Sequence, residues 1–156
     1  MFLSIPAFHV SDTSRVVGSC QVAIASRKSA PLSNGTFDVR IDVKFLPGDA
    51  YPTGNVFLNV SMNDGLNGSY RSSTIDLVNS HGKVTPTVFV TGRCTVDAPK
   101  APSGLRFWLM IARNKGPEGP GTPDIVGFAI HDHTGTRVAY GTGPVQPGGD
   151  FAIEAE

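Results

Sequence analysis

In the segment T-F-D-V-R-I-D-V-K-F-L, at positions 36–46, apolar and charged residues alternate strictly over nine residues. The apolar side chains lie at every second position from Phe37 to Phe45, and aspartate, arginine or lysine fills the positions between them. A period of two places all the apolar side chains on one face of a β-strand and the charged ones on the other. A strand with one dry and one wet face is typical of an antiparallel sheet. The segment therefore predicts such a strand, with its charged face in solvent.

Similar segments recur along the chain, separated by turn pairs such as Asn34-Gly35 and Asp64-Gly65. The 18 glycines and 12 prolines also favour turns over helices. We predict about nine strands, at 15–25, 37–45, 56–62, 70–78, 84–96, 105–112, 125–133, 136–141 and 151–155. The expected fold is all-β: an antiparallel β-sandwich of jelly-roll or immunoglobulin-like type, with a closed β-barrel as the alternative. The chain of 156 residues is expected to form a single domain, 1–156.

The charge balance narrows the set of partners. Thirteen basic residues match thirteen acidic ones, and no run of like charge gives an electrostatic footprint for nucleic acid or an anionic membrane. No apolar run reaches membrane-spanning length, and the first residues lack the basic region of a signal peptide. We therefore expect a soluble protein that binds neither nucleic acid nor membrane, and no cofactor is implied.

Two histidines one residue apart are the main candidates for metal chemistry. His131 and His133 would project from the same face of a strand, about 7 Å apart. A catalytic zinc or copper site also needs a third ligand, for which the chain offers only the distant His9 and His81. The alternative is that the pair closes a hairpin through a two-residue Thr134-Gly135 turn, with His133 opposite Thr136.

The string G-F-A-I-H-D-H-T-G, at positions 127–135, resembles the histidine strand of copper–zinc superoxide dismutases, and His-x-His also occurs in cupins. The resemblance covers nine residues. No later histidine supplies the remaining ligands of either family, and the cupin glutamate is absent.

The cysteines, Cys20 and Cys94, each fall on the apolar face of a predicted strand. We predict two buried thiols, with a disulfide across the sandwich as the alternative. No evident base lies near Cys20 to activate it as a nucleophile.

Aromatic side chains on outward-facing positions are the candidate binding residues. Phe57, Phe89 and Trp108 fall on the predicted outer faces of their strands, while Tyr51 and Tyr70 border loops. Trp108 lies in L-R-F-W-L-M-I-A, a run so apolar that it predicts a strand buried on both faces or covered by a partner. Exposed aromatic surface is typical of a contact with another chain or of a platform for a sugar.

Both ends of the chain are apolar, which suggests that they add strands to the domain or dock on neighbouring subunits. Residues 1–10 form a possible N-terminal arm whose candidate interface residues are Phe2, Leu3, Ile5 and Phe8. The leading hypothesis is a non-enzymatic structural or adhesive module, a homo-oligomer or a subunit of a larger assembly such as a phage or viral particle. The alternatives are a small carbohydrate-binding-like module and a metal-dependent enzyme built on His131 and His133.

Overall fold

The computed structural model describes residues 13–24, 34–81, 86–113 and 123–155. Nine strands occupy these ranges, and they contain no helix. The strands are β1 (Thr13–Ile24), β2 (Gly35–Lys44), β3 (Thr53–Met62), β4 (Gly68–His81), β5 (Thr87–Asp97), β6 (Leu105–Ala112), β7 (Ile125–His131), β8 (Arg137–Pro144) and β9 (Asp150–Ala155). The described residues therefore contain no helix long and apolar enough to cross a membrane. The predicted arm, including Phe2, Leu3, Ile5 and Phe8, lies outside the described residues.

Alternation in the sequence decides which face of each strand is buried. In β2, Phe37, Val39, Ile41 and Val43 are at most 3% exposed, and the arginine, aspartate and lysine that each follow one of the last three are exposed. β3 follows the same pattern, with its alternate residues from Val56 to Met62 buried. The predicted strand and its orientation are confirmed in both cases.

The pairing pattern is an antiparallel meander. Each strand from β1 to β7 pairs with the next one along the chain, and β9 returns to pair with β1. All nine strands belong to one sheet in the order β8-β7-β6-β5-β4-β3-β2-β1-β9. The all-β, antiparallel prediction is confirmed. The two separate sheets of a sandwich are not shown, because hydrogen bonding is continuous from β8 to β9.

The sheet is open but strongly curled, so that strands distant in its order face each other. Phe37 of β2 and Phe128 of β7 make an edge-to-face ring contact with centroids 4.7 Å apart. At one end the curl brings the residue after β8 onto β1, where Val22 and Val145 form an isolated bridge. The Gln146 amide donates to the Gln21 carbonyl over 2.8 Å at the same place. The sheet thus wraps around its own core as a half-barrel.

The core is a single cluster of inward side chains from all nine strands, and it includes large buried residues such as Tyr70, Phe37, Phe128 and Phe151. The β3–β4 connection crosses to the other end of the sheet order, where the Leu66 amide donates to the Val138 carbonyl over 2.8 Å. The buried Tyr70 hydroxyl donates to the Leu66 carbonyl and fixes this connection. Because the inside of the curl is occupied by side chains, the solvent-accessible side of the sheet is its outer face.

Strand β6 departs from its predicted surroundings. Leu105, Phe107, Leu109 and Ile111 point inward and are buried, as an alternating strand requires. Arg106 and Trp108 point outward and are exposed, the indole being 37% exposed. The expectation that β6 is buried on both faces is therefore wrong for the single chain, since no second layer covers its outer side in the described ranges.

Candidate functional site

The histidine pair lies at the end of β7 and in the turn that follows. His131 is the last residue of the strand and pairs with Arg137 of β8, while His133 lies in the turn. The turn is one residue longer than predicted: the Asp132 amide donates to the Thr136 carbonyl over 2.9 Å, so Asp132, not His133, lies opposite Thr136. The hairpin interpretation is supported, but its register shifts by one residue.

Asp132 holds this turn together. Its carboxylate accepts from the Thr134 amide at 2.9 Å, the Thr134 hydroxyl at 2.6 Å and the Thr136 amide at 3.0 Å. These hydrogen bonds, led by that of the Thr134 hydroxyl, lower the pKa of Asp132 below its ordinary value. The carboxylate is thus ionised at neutral pH and committed to the turn.

His131 and His133 both line one hollow on the protein surface. The described residues do not complete a metal site around them. No group of three histidine, cysteine, aspartate or glutamate side chains in metal-binding geometry occurs in the described ranges. His9 and the side chain of His81, the two other possible histidine ligands, lie outside what is described. The metal-dependent enzyme stays a prediction, and the described residues supply no third ligand for its metal.

The hollow lies on the outer face of β5, β6 and β7 and has a volume of about 600 Å³, within the range of small-ligand sites. Its walls are the β5 and β6 strands, and one end is closed by the β7–β8 turn. The β5–β6 connection approaches this turn so closely that a Cβ on Gly104 would lie 2.9 Å from the Cβ of His133. The side chains that the site offers to a ligand are Asp76, Arg93, Arg106, Trp108, His131 and His133. We call it the indole hollow.

A second hollow, of about 570 Å³, lies where β3 and β4 separate. These strands pair only from Phe57 to Val60, and the Val56 amide then donates to the Ser72 hydroxyl at 2.9 Å instead of to a β4 carbonyl. Tyr51 lies at this hollow with its ring 73% exposed. We call it the tyrosine hollow.

The two hollows adjoin, because Asp76 and Arg93 line both of them. The two most exposed aromatic side chains of the described ranges, Tyr51 and Trp108, thus belong to one continuous surface with a carboxylate and a guanidinium between them. We call this surface the groove. Such a surface offers rings to an apolar ligand face, a hydrogen-bond acceptor and a cation.

The remaining aromatic candidates fall into three different settings. Phe89 packs beside Trp108, with ring centroids 5.8 Å apart. Phe57 lies away from the groove between the guanidinium groups of Arg40 and Arg71, each 4.9 Å from its ring centroid. Tyr70 is 1% exposed and belongs to the core. The structure therefore removes Tyr70 from the candidate binding surface.

The cysteines do not contribute to the groove. Cys20 and Cys94 are both buried, and neither forms a disulfide. Burial raises the pKa of each thiol from 9.0 to about 12, with Asp38 adding to the effect on Cys20. Thiols held in the neutral form are poor nucleophiles, as the sequence-based interpretation of buried thiols expects.

Sequence reasoning missed Asp76, Arg93 and Arg106, which the structure places beside the predicted Trp108. Each is an ordinary polar residue of an outward-facing position, and they lie 17 and 13 residues apart along the chain. Only the cross-strand register could have brought them together before the fold was available.

The structure defines an all-β protein whose single curled antiparallel sheet carries a solvent-facing groove of ligand size. Comparisons with known protein families, with curated proteins and with solved structures gave no match. Function is therefore inferred from the chemistry of the groove.

Proposed function

We propose that this protein is a non-enzymatic adhesive module that binds a carbohydrate chain along the groove. The observation that carries the proposal is the placement of Tyr51 and Trp108 on one surface, with Asp76 and Arg93 between them. A sugar ring offers C–H faces that pack on aromatic rings and hydroxyls that hydrogen-bond to charged side chains. The groove supplies partners for both.

Energetics favour these two rings as the anchors. Tyrosine and tryptophan bring a large apolar area and few rotatable bonds, so little conformational entropy is lost when a ligand orders them. Their present exposure of 73% and 37% leaves apolar surface that a ligand would remove from water. While these rings are exposed to water, the protein lacks the favourable free energy that their burial would contribute. A ligand that covers the rings would supply that free energy.

The test is affinity electrophoresis and calorimetry against a panel of soluble polysaccharides, both neutral and acidic. Trp108→Ala and Tyr51→Ala should each weaken binding by tenfold or more, the factor that corresponds to about 1.4 kcal/mol. Phe57→Ala is the matched control, because Phe57 is an outward aromatic residue of the same sheet that lies outside the groove. Equal binding by all three variants would contradict the proposal.

A second candidate function, a subunit of a larger assembly such as a phage or viral particle, is favoured by a different observation. Cross-strand pairing places Leu77, Thr91, Trp108, Ala129 and Tyr140 in one row across the outer face of β4–β8. Phe89 and Met110 are opposite each other in the next row, and Leu77 is 45% exposed. Aromatic residues, methionine and arginine are enriched at the centres of protein interfaces.

Variants of Leu77 and Tyr51 distinguish the assembly function from carbohydrate binding. Leu77 belongs to the apolar rows and does not line the groove, whereas Tyr51 lines the groove and does not belong to the rows. In an assembly subunit, native mass spectrometry should show an oligomer that Leu77→Asp dissociates and Tyr51→Ala leaves intact. Deleting the first eight residues should also abolish association if the predicted arm contributes to it. A monomer at every concentration would contradict the assembly proposal and leave the carbohydrate proposal standing.

A further inference from the structure

Four basic residues lie in a single row across neighbouring strands. Arg93 of β5 pairs with Arg106 of β6, Arg106 pairs with His131 of β7, and His131 pairs with Arg137 of β8. With neighbouring strands about 4.8 Å apart, the four backbone positions span roughly 14 Å. The three arginines are exposed and the histidine is half-buried, so all four face outward. We call this set the basic row.

Within the basic row, Arg93 and Arg106 place like charges directly opposite each other, and no ion pair among the described residues offsets their repulsion. Like charges directly opposite each other on neighbouring strands are destabilising. The ion pairs between described residues are Arg15–Asp42 at 3.4 Å and Arg113–Asp150 at 3.8 Å, and neither involves the row. Arg137 stacks on the ring of Tyr140, 3.8 Å from its centroid, which orients its guanidinium without neutralising it. An anionic group bound from outside would remove this repulsion.

The row is continuous with the groove. Arg93, Arg106 and His131 are walls of the indole hollow, and on β6 the indole of Trp108 lies two residues from Arg106, on the same face. A ligand lying along the groove therefore meets the aromatic rings and the guanidinium groups together. Arginine is well suited to carboxylate and phosphate groups because its planar fork makes two parallel hydrogen bonds.

Two carboxylates in the indole hollow limit which kind of anionic ligand fits there. Asp76 and Asp132 also line it, and Asp132 is ionised. A nucleic acid strand carries one charge per nucleotide and would meet both aspartates at close range, while the formal net charge of the chain is zero and provides no long-range attraction. A ligand with sparse negative charges and many hydroxyls fits better, since its hydroxyls donate to Asp76 while its anions reach the arginines.

Resting on the proposed carbohydrate function, we propose that the ligand is an acidic glycan, a chain of sugar units that bear carboxylates, and that Arg93 and Arg106 are the residues that select it over a neutral glycan. Each guanidinium receives a sugar carboxylate, and the ring of Trp108 packs against the face of an adjacent sugar.

The experiment is calorimetric titration of the full chain with a hyaluronan oligosaccharide, which carries a carboxylate on every second sugar, and with the same oligosaccharide after chemical reduction of its carboxylates to alcohols. Wild-type protein should bind the acidic form at least tenfold more tightly. Arg106→Ala and Arg93→Ala should each remove most of this preference, and Arg106→Lys should restore part of it because it keeps the charge but not the fork. Arg40→Ala, which removes the same charge from the same outer face outside the groove, should leave both affinities unchanged.

The possible results separate this inference from the proposed function. Equal affinity for the acidic and reduced forms, with loss of both in Trp108→Ala, would overturn the acidic-glycan inference and support carbohydrate binding. A single-stranded DNA oligonucleotide that binds more tightly than the hyaluronan oligosaccharide in an Arg106-dependent manner would also overturn it. Binding of neither sugar, nor of any other polysaccharide in the panel, by variants that unfold at the wild-type temperature would reject both proposals.

Discussion

Gly18 is the position where one added methyl group tests the packing of β9 on β1. It lies at an inward position of β1, opposite Ile41 of β2 on one side and Phe151 of β9 on the other. A Cβ built on Gly18 would lie 2.3 Å from the carbonyl oxygen of Asp150 and 2.7 Å from the Cα of Phe151. Because both are backbone atoms, neither can move by a change of rotamer. Gly18→Ala therefore requires β9 to shift or to detach.

The cost follows from these two alternatives. Overpacking typically costs about 1–3 kcal/mol, and a clash with backbone belongs at the upper end of that range. Detachment of β9 would expose Phe151, now 1% exposed, at a cost of about 2–3 kcal/mol, together with its ladder hydrogen bonds. Either way we expect a loss of about 3 kcal/mol. For a chain of this length, that corresponds to a fall in Tm of roughly 6–12 °C.

Urea unfolding and calorimetry measure the loss, and hydrogen exchange locates it. The amides of β9 should lose protection first in Gly18→Ala, ahead of those in β5 and β6. Ser19→Ala is the matched control: Ser19 is the next residue of the same strand and is exposed, so its change should stay within about 0.5 kcal/mol. If Gly18→Ala unfolded at the same urea concentration as Ser19→Ala, the close β1–β9 approach would be refuted.

Three further predictions concern the core and the hairpin. Tyr70→Phe removes the donor to the part-buried Leu66 carbonyl and should lower the free energy of unfolding by about 1–2 kcal/mol in urea titrations; an unchanged midpoint would mean that this bond is not formed. Asp132→Ala should reduce the hydrogen-exchange protection of the Thr134 and Thr136 amides, which donate hydrogen bonds to the Asp132 carboxylate, and equal protection in the variant and the wild type would contradict the turn geometry. Burial raises the pKa of Cys20 and Cys94 from 9.0, and that of Tyr70 from 10.0, to about 12. Because the folded state keeps these protons after the unfolded chain has lost them, the free energy of unfolding should fall as pH rises from about 9 to about 12. A constant free energy of unfolding over this range would contradict the raised pKa values.

Local pattern was sufficient for the strands, because each strand has one wet and one dry face. The period-two run of β2 predicts both the element and its buried side, and the limits of β6 agree with its predicted range. The same pattern does not distinguish a sandwich from one curled sheet, since each buries one face of every strand. The choice depends on long-range pairing and curvature, which bring Phe37 and Phe128 into contact across the core.

Tyr70 shows where the period itself fails. Strand β4 carries two register irregularities against β5, between Ser72 and Thr74 and between Ile75 and Leu77. Each extra residue shifts the alternation, so the buried positions are Tyr70, Ile75 and Val78 and do not follow a period of two. A sequence pattern with no marker for the bulges cannot assign Tyr70 to the core.

The same bulged strand accounts for the position of the groove. Beyond Phe57 the pairing of β3 with β4 ends, and this separation opens the tyrosine hollow beside Tyr51. The irregularities of β4 also place Thr74, which pairs with Arg93, at the tyrosine hollow, and Asp76 at the boundary between the two hollows. Bulges are frequent next to functional sites because they redirect side chains without breaking a sheet. The irregularities that made β4 hard to interpret from sequence therefore also shape the groove. A variant that restores regular pairing between β3 and β4 should still fold but should no longer contain the groove.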